Sequence, residues 1–143
     1  MLKVDMEKIK HDLRGEKMKK RKIMLVDDNP DIRKIVKKGL EHLSEWYEVT
    51  SVENANECFK TLECGKIPDL ILLDVMMPEM NGWDVLAKLR SKELWVDIPV
   101  IFLTAKTDDT SIGLGTLTSD GYITKPFKLE DLKCKIEKYF EKE

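Results

Sequence analysis

Two rhythms of apolar residues alternate along this chain. Short continuous runs come first: Ile23-Met24-Leu25-Val26, then Leu70-Ile71-Leu72-Leu73, then Ile98-Pro99-Val100-Ile101-Phe102-Leu103. Each is bounded by turn residues and too short for a buried helix, so each reads as a strand covered on both faces. Tyr47 to Val52 and Gly121-Tyr122-Ile123-Thr124 are weaker strand patterns. Between the runs the period changes to that of an amphipathic helix. Asn29-Pro30-Asp31 opens one helix, with Ile32, Ile35, Val36, Leu40 and Leu43 expected inward. Glu53 to Gly65 predicts a second, with Ala55, Cys58, Phe59 and Leu62 inward and Gly65 as its stop. Gly82 opens a third, burying Val85, Leu86 and Leu89, and Lys128 to about Glu141 predicts the last, burying Leu129, Leu132, Ile136, Tyr139 and Phe140. From Ala105 to Ser119 the apolar positions are sparse, and Gly113 and Gly115 each cost a helix roughly 1 kcal/mol relative to Ala. That segment is expected to be loosely helical. Five strands alternating with five helices demand crossover connections, so the expected fold is α/β, a five-stranded parallel sheet with helices on both faces.

Residues 1–21 do not share this pattern. Leu2, Met6, Ile9 and Leu13 recur at helical spacing on a charged background, and Gly15 with the basic run at 17–22 ends the stripe. A loosely docked chain end is the plainer expectation; an interaction helix or an arm for an anionic surface is the alternative. The chain is thus divided into a basic leader, 1–21, and a body, 22–143.

Composition narrows the class. A chain of 143 residues is one domain able to bury a core without disulfides. No apolar run approaches the roughly 20 residues that span a bilayer, and the first residues lack the apolar centre of a secretion signal. Cys58, Cys64 and Cys134 match no zinc spacing and are expected as reduced thiols in a cytoplasmic protein. The net charge of −2 conceals an asymmetry, because residues 1–22 hold nine Lys/Arg against four Asp/Glu. The rest is acidic, which suits a cation or a basic partner.

The strand ends carry the candidate chemistry. Strand one runs into Asp27-Asp28, strand three into Asp74, strand four into Thr104 and strand five into Lys125. In an open parallel sheet these ends share one edge, where ligands bind. A lone strand-end Asp is more often a turn or cap residue. Three carboxylates gathered together instead repel one another and offer hard oxygen ligands of the kind Mg²⁺ takes. A hydroxyl and an ammonium beside them complete a site for a phosphoryl group.

The segments I-M-L-V-D-D-N-P, L-I-L-L-D-V-M-M-P-E-M-N-G, V-I-F-L-T-A and Y-I-T-K-P-F occur in that order. With them the chain from Lys22 to about Phe140 resembles the receiver domain of two-component response regulators, a flavodoxin-like (βα)5 fold. Because the sequence ends with the last helix, it looks like the stand-alone, chemotaxis-type members. The resemblance implies a phospho-acceptor signalling switch rather than a turnover enzyme. Asp74 would be the phospho-acceptor, receiving a phosphoryl group from a sensor histidine kinase in a Mg²⁺-dependent transfer. Asp28 and Asp74 would ligate Mg²⁺, with the Met76 main-chain carbonyl as a further ligand and Asp27 acting through water. Lys125 and Thr104 would act on the phosphoryl group, and Thr104 with Tyr122 would form the switch pair that alters a partner-binding surface. Met76 and Lys106 fall where the family tunes phosphate lifetime; Met76 cannot orient water, so slow self-dephosphorylation is expected.

Some features depart from the family. Thr104 and Lys125 are 21 positions apart, about one fewer than usual, and Thr118-Ser119 replaces the usual Gly-Ala. The shortened fourth-helix region is either a loose switch element or a different recognition face. The leader has no family counterpart. Partners implied are a sensor histidine kinase or a histidine phosphotransfer protein, with a monomer or a phosphorylation-dependent dimer as the assembly. Nucleic acid would rest on the 17–22 run alone and is not expected. Two other functions are open: a phosphorelay intermediate passing the phosphoryl onward, and a haloacid-dehalogenase-like Mg²⁺ phosphatase, whose Asp-x-Asp is absent at Asp74-Val75-Met76.

Overall fold

The computed structural model describes residues 20–105 and 120–141. Five strands are present, β1 (Arg21–Val26), β2 (Tyr47–Val52), β3 (Leu70–Asp74), β4 (Val100–Ala105) and β5 (Gly121–Lys125). Four helices lie among the described residues: α1 (Pro30–Leu43), α2 (Ala55–Glu63), α3 (Gly82–Ser91) and α4 (Leu129–Glu141). All strand pairings are parallel, in the order β2-β1-β3-β4-β5, so the chain reverses its direction of growth beside β1 and β3. The leader through residue 19, Lys106 and the expected loose helix after Ala105 lie outside the described residues. The first strand starts at Arg21, which pairs with Tyr47.

Alternation along each strand divides the core into two layers. Met24, Val26, Ile71, Leu73, Val100 and Phe102 face α2 and α3, whereas Ile23, Leu25, Leu70, Leu72, Ile101 and Leu103 face α1 and α4. All five residues of β3 are buried, which explains why that strand reads as a continuous apolar run. Helix starts follow their caps. Asn29 accepts from the Asp31 and Ile32 N–H groups, Asn54 from Glu57 and Asn81 from Asp84. The second helix is consequently shorter than Glu53 to Gly65, and Gly65 ends it with φ 87°, the left-handed stop expected of glycine. Pro99 stays just outside β4, lending its carbonyl to the Ile71 N–H at 2.9 Å. Ile35 corrects the inward stripe of α1, for it is 56% exposed. The buried line runs through Val36 and Leu40, and Ile35 falls about 100° away from Val36 around the helix.

Candidate phospho-acceptor site

The site is assembled from the carboxyl ends of β1, β3, β4 and β5. Leu72 and Leu73 carry Asp74 to the sheet edge, where it is 5% exposed, and Asp27, directly after β1, is fully buried. Lys125, the last residue of β5, reaches across both. Its ammonium donates to Asp27 Oδ2 at 3.0 Å and to Asp74 Oδ1 at 3.3 Å. Asp28 is exposed at the mouth. Ligand oxygens of Asp27, Asp28 and Asp74 lie within 4.8 Å of one another.

The electrostatics follow from this crowding. Burial, then the charge of Asp27, pushes the Asp74 carboxyl from 3.8 up to about 7, with Lys125 opposing the rise. Burial acts to lower the Lys125 pKa, but hydrogen bonding and charge from Asp27 and Asp74 outweigh it and hold the ammonium above the ordinary lysine value. Three carboxylates against one ammonium leave the pocket short of positive charge. The donor set is all hard oxygen, one member wet and two buried, and fits Mg²⁺, which keeps part of its hydration when bound.

Around this cluster the backbone is tightly specified. Asp27 Oδ1 accepts from the Asn29 N–H at 2.9 Å, which turns the chain into α1. Arg33, which sequence reasoning passed over, donates from Nη1 to the Asp27 carbonyl at 2.8 Å. Its position in the first turn of the helix after the acidic pair was the available signal. The Met76 N–H donates to Asp74 Oδ1 at 3.3 Å, and the Met76 side chain is 63% exposed. Beyond it the loop folds back, so that the Gly82 N–H meets the Val75 carbonyl at 2.8 Å. A Cβ on Gly82 would lie 2.5 Å from the Asp74 carbonyl oxygen and 2.9 Å from Val75 Cα. Only glycine lets α3 start this close to the acid.

Thr104 is completely buried, and its hydroxyl has no hydrogen-bond partner among the described residues. An unsatisfied buried hydroxyl costs about 1–3 kcal/mol. It shares a sheet face with Phe102, whose partner across the ladder is Tyr122. Tyr122 is half-buried against the α2/α3 layer, and the Lys135 ammonium stands 5.1 Å from its ring centre. Trp83 packs on Phe102 with ring centres 4.4 Å apart. It too went unnoticed in the sequence, where one aromatic in a helix's first turn carries no special signal.

A model of the response regulator receiver domain matches residues 23–137. The chain belongs to this family. It is 39% identical over 116 residues to the response regulator SaeR of Staphylococcus aureus, a match that covers 80% of this chain and 48% of SaeR. The chain therefore spans about half the length of the curated relatives it matches. Among solved structures it is similar to the N-terminal domain of a response regulator receiver protein from Methanoculleus marisnigri, with 33% identity and a TM-score of 0.65 over 82% of this chain and 94% of that one. It is also similar to the signal receiver domain of a signal transduction histidine kinase from Syntrophus aciditrophicus, with 31% identity, a TM-score of 0.75, and coverage of 84% and 89%. Five parallel strands with flanking helices are the fold of these receivers. No helix among the described residues is long and apolar enough to cross a membrane.

Proposed function

We propose that this receiver domain is switched by phosphorylation of Asp74, with a sensor histidine kinase as donor. In the transfer an Asp74 carboxylate oxygen attacks phosphorus and a P–O bond forms. The P–N bond of the phosphohistidine breaks, and its electron pair stays on the imidazole. No electrons are gained or lost overall. Asp28, Asp74 and the Met76 carbonyl would hold Mg²⁺, with Asp27 through water. When bound, the ion supplies positive charge to phosphoryl oxygens. Lys125 neutralises Asp27 and Asp74 and is within reach of an incoming phosphoryl oxygen. Thr104 then donates its hydroxyl to that group, and Tyr122 follows into the space behind it, which alters the surface that a partner reads.

One observation supports the reading above the rest. The Lys125 ammonium contacts the two buried carboxylates together, beside a buried threonine hydroxyl that lacks a partner among the described residues. Such an arrangement is costly for folding alone and suits an arriving dianion. The test is incubation of the protein with acetyl phosphate and Mg²⁺, followed by intact mass. A single phosphoryl adduct that requires Mg²⁺ and is lost in Asp74→Asn is expected. A folded wild-type protein without an adduct refutes the assignment.

A phosphorelay role is a second reading, favoured by the likeness to the receiver domain of a signal transduction histidine kinase. Return of the phosphoryl group to a histidine phosphotransfer domain would separate relay from terminal switch.

A further inference from the structure

At the edge of the sheet opposite the acidic site, two aspartates do the same job. Asp69 stands one residue before β3. Its N–H donates to the Lys22 carbonyl at 2.7 Å, and its carboxylate accepts from the Lys22 N–H at 2.7 Å. Asp120 stands one residue before β5. Its N–H donates to the Val100 carbonyl at 2.9 Å, and its Oδ2 accepts from the Val100 N–H at 2.8 Å. In both places one residue grips a single residue of the neighbouring strand by two bonds, which leaves one register available. Asp69 opens the strand that ends in Asp74, and Asp120 opens the strand that ends in Lys125.

The two grips carry different weight. The β3 register is also specified by five buried side chains on two faces. By contrast, β5 is an edge strand, half-buried throughout and paired with β4 alone in the sheet. Packing specifies the register of such a strand weakly, and a slip by one residue reverses the face of every side chain. The grip on β5 is reinforced accordingly. Arg90, in the last turn of α3, donates from Nη2 to the same Asp120 Oδ2 at 3.3 Å. Its Nη1 donates to the Val96 and Ile98 carbonyls at 3.0 and 2.8 Å. The helix whose first residue abuts Asp74 thus ends by holding the start of the Lys125 strand.

We infer that Asp120, held by Arg90, is a positioning residue for phosphoryl uptake: it sets the register of β5 and so the reach of Lys125 toward Asp27 and Asp74. The inference rests on the reading of Asp74 as phospho-acceptor. Its test is a double-mutant cycle on the rate of uptake from acetyl phosphate at saturating Mg²⁺, using Asp120→Ala and Lys125→Ala, with folding checked by circular dichroism. Misplacing a group by about 1 Å can cost up to about a hundredfold in rate, so Asp120→Ala is expected to slow uptake about tenfold. In the Lys125→Ala background the same change should cost under about twofold, because the residue it positions is gone. Asp120→Asn, which keeps an oxygen for the Val100 N–H, should recover most of the rate. Asp69→Ala serves as the control, with the same effect in both backgrounds. If Asp120→Ala does not fold, Asp120→Glu, whose longer arm cannot make both bonds in this register, takes its place in the cycle and is read in the same way. A loss of equal size with and without Lys125, or no loss in a folded variant, overturns the inference while Asp74 remains the acceptor. A wild-type protein that takes no phosphoryl group on Asp74 overturns the underlying reading, and the inference with it.

Discussion

Replacing Asp74 by asparagine should stabilise the protein in the absence of divalent cations, by an amount that depends on pH. The Asp74 carboxyl is pushed from 3.8 to about 7 by burial and by Asp27. The folded state therefore holds this proton more tightly than the unfolded state. The contribution of Asp74 to stability falls as pH rises from about 4 to about 7 and is then level, because the full penalty on the carboxylate is present above the folded pKa. A shift of about three units at 1.36 kcal/mol each sets a ceiling of about 4 kcal/mol. Lys125 does not blur this window. Its pKa is raised from 10.5, so its own stabilising contribution is complete below that value and is lost only above it. An asparagine side chain resembles the neutral acid in shape and hydrogen bonding. Asp74→Asn should thus exceed the wild type by about 2–4 kcal/mol at pH 8 in EDTA, and the gap should close below about pH 4. Urea unfolding at several pH values measures it. Mg²⁺ should then narrow the gap at pH 8, since the wild type gains more from binding. A variant no more stable than the wild type at pH 8, or a gap that ignores pH, would refute the electrostatic account of the site.

Other consequences follow from the same geometry. Thr104→Val removes a buried hydroxyl that has no partner among the described residues, at nearly constant volume, so stability should hold or rise by about 1 kcal/mol, while any phosphorylation-dependent change around Tyr122 is lost; a clear fall in melting temperature would show that the hydroxyl is already satisfied. Gly82→Ala forces a Cβ against the Asp74 carbonyl and should cost about 1–3 kcal/mol, with slower phosphoryl uptake than a matched alanine elsewhere in α3; unchanged thermal unfolding would show that the close approach is not required. The exposed Met76 side chain cannot orient a water, so Asp74 phosphate should persist, and Met76→Asn should shorten its lifetime several-fold when followed by intact mass; equal lifetimes would remove that position from any role in hydrolysis.

The strands, their parallel arrangement and the residues gathered at their carboxyl ends are already legible in the amino-acid sequence. Local physics suffices for this. Period two and period 3.6 are written into apolar spacing, Asn29-Pro30-Asp31 marks where the first helix starts, and a parallel sheet brings the ends of its strands to one edge. Asp27, Asp74, Thr104 and Lys125 are therefore placed together by strand pattern alone. Other features depend on distances between elements far apart in the chain and emerge only when those elements pack. That Lys125 contacts both Asp27 and Asp74, that the Thr104 hydroxyl is left without a partner among the described residues, and that Gly82 abuts the Asp74 carbonyl all follow from how β3, β4, β5 and α3 pack. Ile35 shows the same limit from the other side: it satisfies a helical apolar stripe, yet α1 rotates to bury Val36 and Leu40 and leaves it in water. No motif or spacing in the sequence singles out Asp120 or Arg90. They meet across 30 residues, because the start of β5 needs an anchor that its half-buried side chains do not supply.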